Sequence, residues 1–124
     1  MKRINLRSPQ TQKSADPKNL TRLVVQEHRL RLGSRGRPLS FARFADGLNQ
    51  HMRDLGISVS YQSIKNWEDG VNRPDYFFTQ QLANRAPDGS WQRTFAMDIL
   101  AVQWPALYKP GGEIGTAVLW QYGG

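Results

Sequence analysis

The chain has 124 residues, enough for one domain with a single modest hydrophobic core. Seventeen lysines and arginines against ten aspartates and glutamates give a net charge of +7, which favours a polyanionic partner such as nucleic acid. The absence of cysteine excludes disulfide frameworks and thiolate metal sites. With no long apolar stretch and no secretion leader, the sequence predicts a cytoplasmic protein with no membrane contact.

The positive charge is concentrated in the first half of the chain. Residues 1–56 carry twelve basic and four acidic side chains, whereas residues 57–124 carry five and six. Residues 1–19 hold few apolar groups, which predicts a flexible basic arm ahead of a domain over residues 20–105 and a C-terminal tail over residues 106–124.

Hydrophobic periodicity predicts the first two helices. An imperfect stripe indicates a helix from residue 20 to Gly33, with apolar members Leu23, Val24, Leu30 and Leu32. Gly36 and Pro38 then break the chain. A clearer helix follows, from Ser40 as N-cap to Gly56 as left-handed cap, and its apolar face is formed by Phe41, Phe44, Ala45, Leu48, Met52 and Leu55.

Three more helices are predicted after residue 59, each preceded by a capping side chain. The first begins at Ser60, buries Ile64 and Trp67, and stops at Gly70. The second begins at Asp75, ends at Pro87 and has the apolar positions Phe78, Leu82 and Ala86. The third begins at Ser90, ends at Pro105 and has the apolar positions Trp91, Phe95, Met97, Ile99, Leu100, Val102 and Trp104. In the tail, residues 117–122 are expected to pair as a strand or to dock on the core.

The short helix after Ser60 carries the side chains of greatest functional interest. With Ile64 and Trp67 buried, its outward residues are Tyr61, Gln62, Ser63, Lys65 and Asn66. Gln and Asn can bond adenine bidentately, Lys can reach guanine or phosphate, and Tyr or Ser can bond phosphate. The pattern also occurs on ordinary surface helices, and the basic first half of the chain favours DNA contact over that alternative.

Residues 39–86 resemble the helix-turn-helix domain of phage lambda repressor, Cro and related XRE-type bacterial regulators. The resemblance is carried by Phe44-Ala45, Ile64, Trp67-Glu68, Gly70, Pro74 and Leu82-Ala83. It implies an all-α, five-helix domain over residues 20–104, with base contacts from residues 61–66 and a phosphate contact at the Ser40 helix N-terminus. Here the predicted first motif helix runs on from Asn49 to Gly56, about two turns beyond the family pattern.

Two further features concern charged residues outside the Ser60 helix. Arg35-Gly36-Arg37-Pro38 resembles the core of an AT-hook, which lies extended in a narrow minor groove, although a solvated basic loop is the favoured alternative. Arg73 is a further candidate DNA-binding residue, and Glu68 is expected to pair with an arginine such as Arg29 or Arg73.

These observations predict a sequence-specific double-stranded DNA-binding protein, repressor-like and acting as a homodimer. The rival interpretation is an antitoxin or phage accessory module that binds a protein through the fifth helix or the tail. No nucleophile with a base, paired carboxylates or metal-ligand spacing is apparent, so neither an enzyme nor a cofactor is expected. His28 and His51 are expected at the surface or partly buried, without a metal.

Overall fold

A computed structural model describes residues 16–122 of the chain. Regular structure in this part is helical apart from one isolated bridge between Ser34 and Arg37, so the all-α prediction is confirmed. In chain order the helices are α1 (Pro17–Leu32), α2 (Phe41–Asn49), α3 (Tyr61–Glu68), α4 (Tyr76–Arg85), α5 (Trp91–Gln103) and α6 (Glu113–Tyr122), with a short 3-10 turn at Arg53–Leu55.

Local side-chain chemistry sets the starts of five helices. The side chains of Asp16, Ser40, Ser60, Asp75 and Ser90 each accept a hydrogen bond from a backbone N–H in the first turn of the following helix. Four of these caps were predicted; Asp16 was missed, so the first helix starts at Pro17 instead of residue 20. Residues 17–19 of the predicted arm are therefore helical, and residues 1–15 lie outside the described part.

The predicted length of the second helix was wrong. The second helix ends at Asn49 instead of continuing to Leu55, and Met52 and Leu55 stay in contact with the core through tight turns. Spacings of three and four residues suit such turns as well as a helix, which explains the error. Of the two alternatives for the tail, docking on the core is the one found. The tail forms a helix, and Ile114 and Val118 are buried on one side of α6.

The core is built around α5, which packs against α1, α4 and α6. Phe95, Ile99, Leu100 and Val102 are buried as predicted, and Phe95 meets the ring of Phe44 edge-on, with centroids 5.1 Å apart. In α1 the buried apolar side chains are Leu20, Val24 and Val25, whereas the predicted Leu30 is 44% exposed. Within residues 16–122 no helix is long and apolar enough to cross a membrane.

A buried polar cluster ties α6 to this core. Asp98, fully buried on α5, has its Oδ2 2.8 Å from His28 Nε2 on α1, while its Oδ1 accepts the N–H groups of Gly111 and Gly112 at 2.7 and 3.1 Å. His28 is therefore fully buried, with an aspartate partner 70 residues away, rather than at the surface or partly buried as predicted. Gly115 faces the same carboxylate so closely that a methyl group there would collide with it.

Candidate nucleic-acid interface

The α3 helix is anchored at its start and along its inner side. Ser60 and Ser63 form a capping box, in which each side chain bonds the backbone N–H of the other residue. Ile64 and Trp67 are buried as predicted, and Trp67 stacks on Phe95 with ring centroids 6.5 Å apart. The inner side of this helix is thus fixed by packing, which sets the direction of the outer side.

The outer side carries the residues singled out for DNA contact. Tyr61, Gln62 and Lys65 are exposed, and Ser63 and Asn66 are half-buried. Gln62 Nε2 donates to Asn66 Oδ1 over 3.1 Å, so these two amides are held side by side one helical turn apart. The hydroxyl of Ser63 is already used in the cap, which makes its role structural in the free protein.

The charge of Lys65 is held by a neighbouring carboxylate. Its Nζ lies 2.8 Å from Asp69 Oδ2, and this hydrogen-bonded ion pair raises the pKa of Lys65 above its ordinary value. Lys65 therefore stays protonated at neutral pH. Because both side chains are about half exposed, the pair contributes little to stability, and a phosphate can replace the carboxylate.

A side-chain bracket fixes the approach to α3. Asn49, the last residue of α2, donates from Nδ2 to the carbonyl of Val59 at 2.8 Å and accepts the Val59 N–H at Oδ1, at 2.9 Å. One amide side chain thereby pairs with both backbone groups of a residue just before the Ser60 cap. This bracket closes the connection between α2 and α3.

Replacing Asn49 with alanine is expected to lower the free energy of unfolding by about 1–3 kcal/mol, because it leaves two half-buried backbone groups unpaired. Urea denaturation followed by circular dichroism would measure this change. Asn84→Ala, on the exposed side of α4, is the matched control and should change stability little. Equal unfolding midpoints for the two variants would contradict the bracket.

The C-terminal end of α3 is held by arginines of α1. Arg29 Nη1 lies 3.5 Å from Glu68 Oε1, confirming one of the two partners expected for Glu68, and Arg22 Nε donates to the Glu68 carbonyl at 2.9 Å. Burial raises the pKa of Glu68, although Arg29 opposes that shift. The guanidinium of Arg29 also covers the ring of Phe41 at 4.0 Å, so it links α1, α2 and α3.

The Arg35–Arg37 segment does not have the extended form that the AT-hook resemblance implies. Ser34 and Arg37 exchange two backbone hydrogen bonds of 3.1 and 2.9 Å around a tight turn. Both residues inside this turn have positive φ, 52° at Arg35 and 76° at Gly36. Arg35 and Arg37 are nevertheless exposed, which fits the favoured alternative of a basic loop.

The remaining predicted site residues lie outside α3. Ser40 caps α2, its Oγ accepting the Arg43 N–H at 3.1 Å, and Arg73 is exposed in the loop before α4. Within residues 16–122, no hydrogen bond or ion pair joins the side chain of Arg35, Arg37 or Arg73 to α3. The site residues are therefore spread over the α3 surface, one helix N-terminus and two loops.

The structure adds two cations that sequence reasoning did not select. Arg43 and Arg53 are exposed, make no ion pair among the described residues, and line one open cleft of about 740 Å³ between α2, the connection to α3 and the start of α5. The charge asymmetry of the sequence pointed to this half of the chain but not to these positions. In contrast, Lys65, Arg85 and Arg93 in the second half are paired with acidic residues.

Comparison of this chain with protein-family models, with curated proteins and with solved structures gave no match. Its function is therefore argued from its own residues.

Proposed function

We propose that this protein binds duplex DNA in a sequence-dependent manner, with α3 in the major groove, and acts as a repressor-like transcriptional regulator. The observation that carries the proposal is the division of α3 into two sides. Ile64 and Trp67 are buried in the core, while Gln62, Lys65 and Asn66 present amide and ammonium groups outward. A short helix of this kind can bring hydrogen-bonding groups to base edges.

The proposed motif consists of α2 and α3, with the lambda-repressor-like fold as its framework. Two features support it: α2 is as short as the family pattern requires, and α3 packs directly on α2. The connection between them is longer than the three-residue turn of the family, and the Asn49–Val59 bracket compensates by fixing its far end. The 3-10 turn and Gly56, with φ 68°, fold the added residues compactly.

Unpaired cations would supply affinity by contacting phosphates. The candidates are Arg35, Arg37, Arg43, Arg53 and Arg73, all exposed. Phosphate contacts of this kind position a protein on the duplex, and base contacts from α3 then give specificity. Two copies with their α3 helices about 34 Å apart would read a two-fold symmetric site.

A protein-binding module, such as an antitoxin or a phage accessory protein, is the second candidate. Its contact surface was expected on the fifth helix or on the tail. In this fold α5 is buried along most of its length, because α6 covers the side left for a partner. The outer side of α6 fits that role better, since Trp120 is 87% exposed there.

Fluorescence anisotropy with a labelled random duplex tests the proposal. Binding should weaken steeply between about 50 and 200 mM salt, because phosphate contacts release counterions. On a duplex selected by the wild type from a random pool, the double change Gln62→Ala and Lys65→Ala should weaken binding about tenfold to a thousandfold. Selectivity over random DNA should fall as well.

The control for this test is Gln80→Ala with Lys109→Ala, which removes the same two residue types outside α3 and its connection. This double variant should bind DNA only slightly more weakly than the wild type, because it has lost one positive charge. If the α3 double change left the affinity for DNA unaltered, the DNA surface would lie elsewhere. If the wild type did not bind DNA at low salt, the protein-binding module would be favoured.

A further inference from the structure

A cleft opens where the first turn of α1, the connection from α3 to α4 and the end of α5 meet. Its volume is about 370 Å³, within the range typical of small-molecule sites. Two exposed cations line it, Lys18 of α1 and Arg73 of the connection, and neither makes an ion pair with any residue from 16 to 122. No carboxylate lines it, because Asp16 and Asp75 cap α1 and α4 instead. The charge of this lining favours an anionic ligand.

Aromatic rings form the second part of the lining. Trp104 lies just after α5 and Tyr76 begins α4, and their rings meet nearly perpendicular, with centroids 4.8 Å apart. The hydroxyl groups of Tyr76 and Tyr108 share a hydrogen bond of 2.5 Å, which holds the Tyr76 ring in place. Tyr76 is 40% exposed and Trp104 is half-buried, so part of each ring remains open to a ligand. A flat aromatic group can stack on such a surface.

A buried amide adds a directional group to the lining. Gln103 is 9% exposed, and its Nε2 donates to Thr21 Oγ1 at 3.3 Å, which fixes the orientation of the amide. The Oε1 of Gln103 accepts no hydrogen bond within the described part of the chain, and this residue lines the cleft. A ligand that donates an N–H can therefore satisfy an oxygen that the protein leaves without a partner.

We propose that this cleft binds a single nucleotide, with its phosphate on Lys18 and Arg73 and its base against Trp104. A simple anion would use the two cations alone, and an uncharged aromatic compound would use the rings alone. A nucleotide uses both, and the amino group of its base can donate to Gln103 Oε1. Duplex DNA does not offer this combination, because its bases are paired and stacked inside the helix.

The inference goes beyond the proposed DNA binding and does not require it. Arg73 belongs to both surfaces, so a bound nucleotide would occupy one of the proposed phosphate contacts. The other lining residues named here belong to neither α3 nor its connection to α2. The nucleotide is therefore tested on the chain alone, without DNA, and either proposal can fail while the other holds.

Isothermal titration calorimetry of the full chain with AMP at low salt tests the inference. The wild type should bind one AMP with a Kd below about 1 mM, and adenosine or inorganic phosphate should bind at least about tenfold more weakly. Lys18→Gln with Arg73→Gln should weaken AMP binding at least about tenfold, because two charge-assisted contacts are lost. Arg31→Gln with Arg93→Gln is the matched control, since it removes two positive charges outside the cleft and should not change the affinity.

Trp104→Ala should weaken AMP binding about tenfold to a hundredfold, because it removes the stacking surface, and should change phosphate binding little. Trp104 also packs against the core, so thermal unfolding is measured to show that this variant is folded. The exposed cations give the same test without that risk.

Three results would overturn the inference. The first is no AMP binding at about 1 mM, including the case in which short single-stranded oligo(dA) binds and AMP does not. The second is inorganic phosphate that binds as tightly as AMP. The third is an affinity for AMP that is unchanged by the double change at Lys18 and Arg73.

Discussion

Replacing Asp98 with alanine is expected to lower the free energy of unfolding by about 3–5 kcal/mol, the usual cost of removing one partner from a buried charged or hydrogen-bonded pair. The change leaves His28 without its partner and the N–H groups of Gly111 and Gly112 without an acceptor. Three parts of the fold lose a shared contact at once, namely α1, α5 and the turn before α6. Urea denaturation followed by circular dichroism measures the loss.

Asp88→Ala is the matched control, because the Asp88 side chain is 91% exposed and its ion pair with Arg93 should contribute little. Gly115→Ala provides a second approach to the same cluster without removing a polar group. Its new methyl group would press on the Asp98 carboxylate, so it too should destabilise the protein. If Asp98→Ala and Asp88→Ala unfold at the same urea concentration, the cluster does not hold the fold.

Reversing the charges of Arg43 and Arg53 to glutamate should weaken binding to a random duplex by about two orders of magnitude at 0.1 M salt. The estimate assumes one phosphate contact from each arginine, and the slope of log affinity against log salt should become shallower by about two. Both side chains are exposed and make no ion pair within the described part of the chain, so the fold should be little affected. Anisotropy titrations at several salt concentrations provide the measurement.

The control for this prediction has the same net charge but a different location. Arg93→Glu with Lys109→Glu also changes the charge by four units, yet these residues lie on α5 and before α6. If affinity depended only on net charge, the two double variants would bind equally weakly. That outcome would remove Arg43 and Arg53 from the proposed DNA surface.

The sequence predicted helix starts well because capping is a local event. Ser40, Ser60, Asp75 and Ser90 each bond a backbone group three residues ahead, so the whole interaction lies within a few letters of sequence. The inner residues of α3, Ile64 and Trp67, followed from spacing for the same reason. The polar residue types on the outer side of α3 could also be predicted from the sequence, although their contact with DNA remains a prediction.

The contacts that could not be predicted join residues far apart in the chain. Asp98 was missed because a carboxylate in an apolar stripe gives no sign of a histidine 70 residues earlier. The hydrogen bond of Asn49 with Val59 spans ten residues, so it too could not be read from local sequence. For the tail, docking on the core was one of two alternatives; the strand alternative failed because its β-branched and aromatic residues favour strands locally, while packing on α1 and α5 accompanies a helix.

The turn at Arg35 has a conformational cost that arises from the residue type, because glycine or asparagine would adopt the same backbone angles more easily. An arginine held at φ 52° is less comfortable than glycine or asparagine, by roughly 1–2 kcal/mol relative to its preferred backbone conformation. Selection for thermal stability alone would therefore favour glycine or asparagine at this position, whereas selection for binding to a polyanion would retain arginine. At position 35, stability and polyanion binding therefore favour different residues.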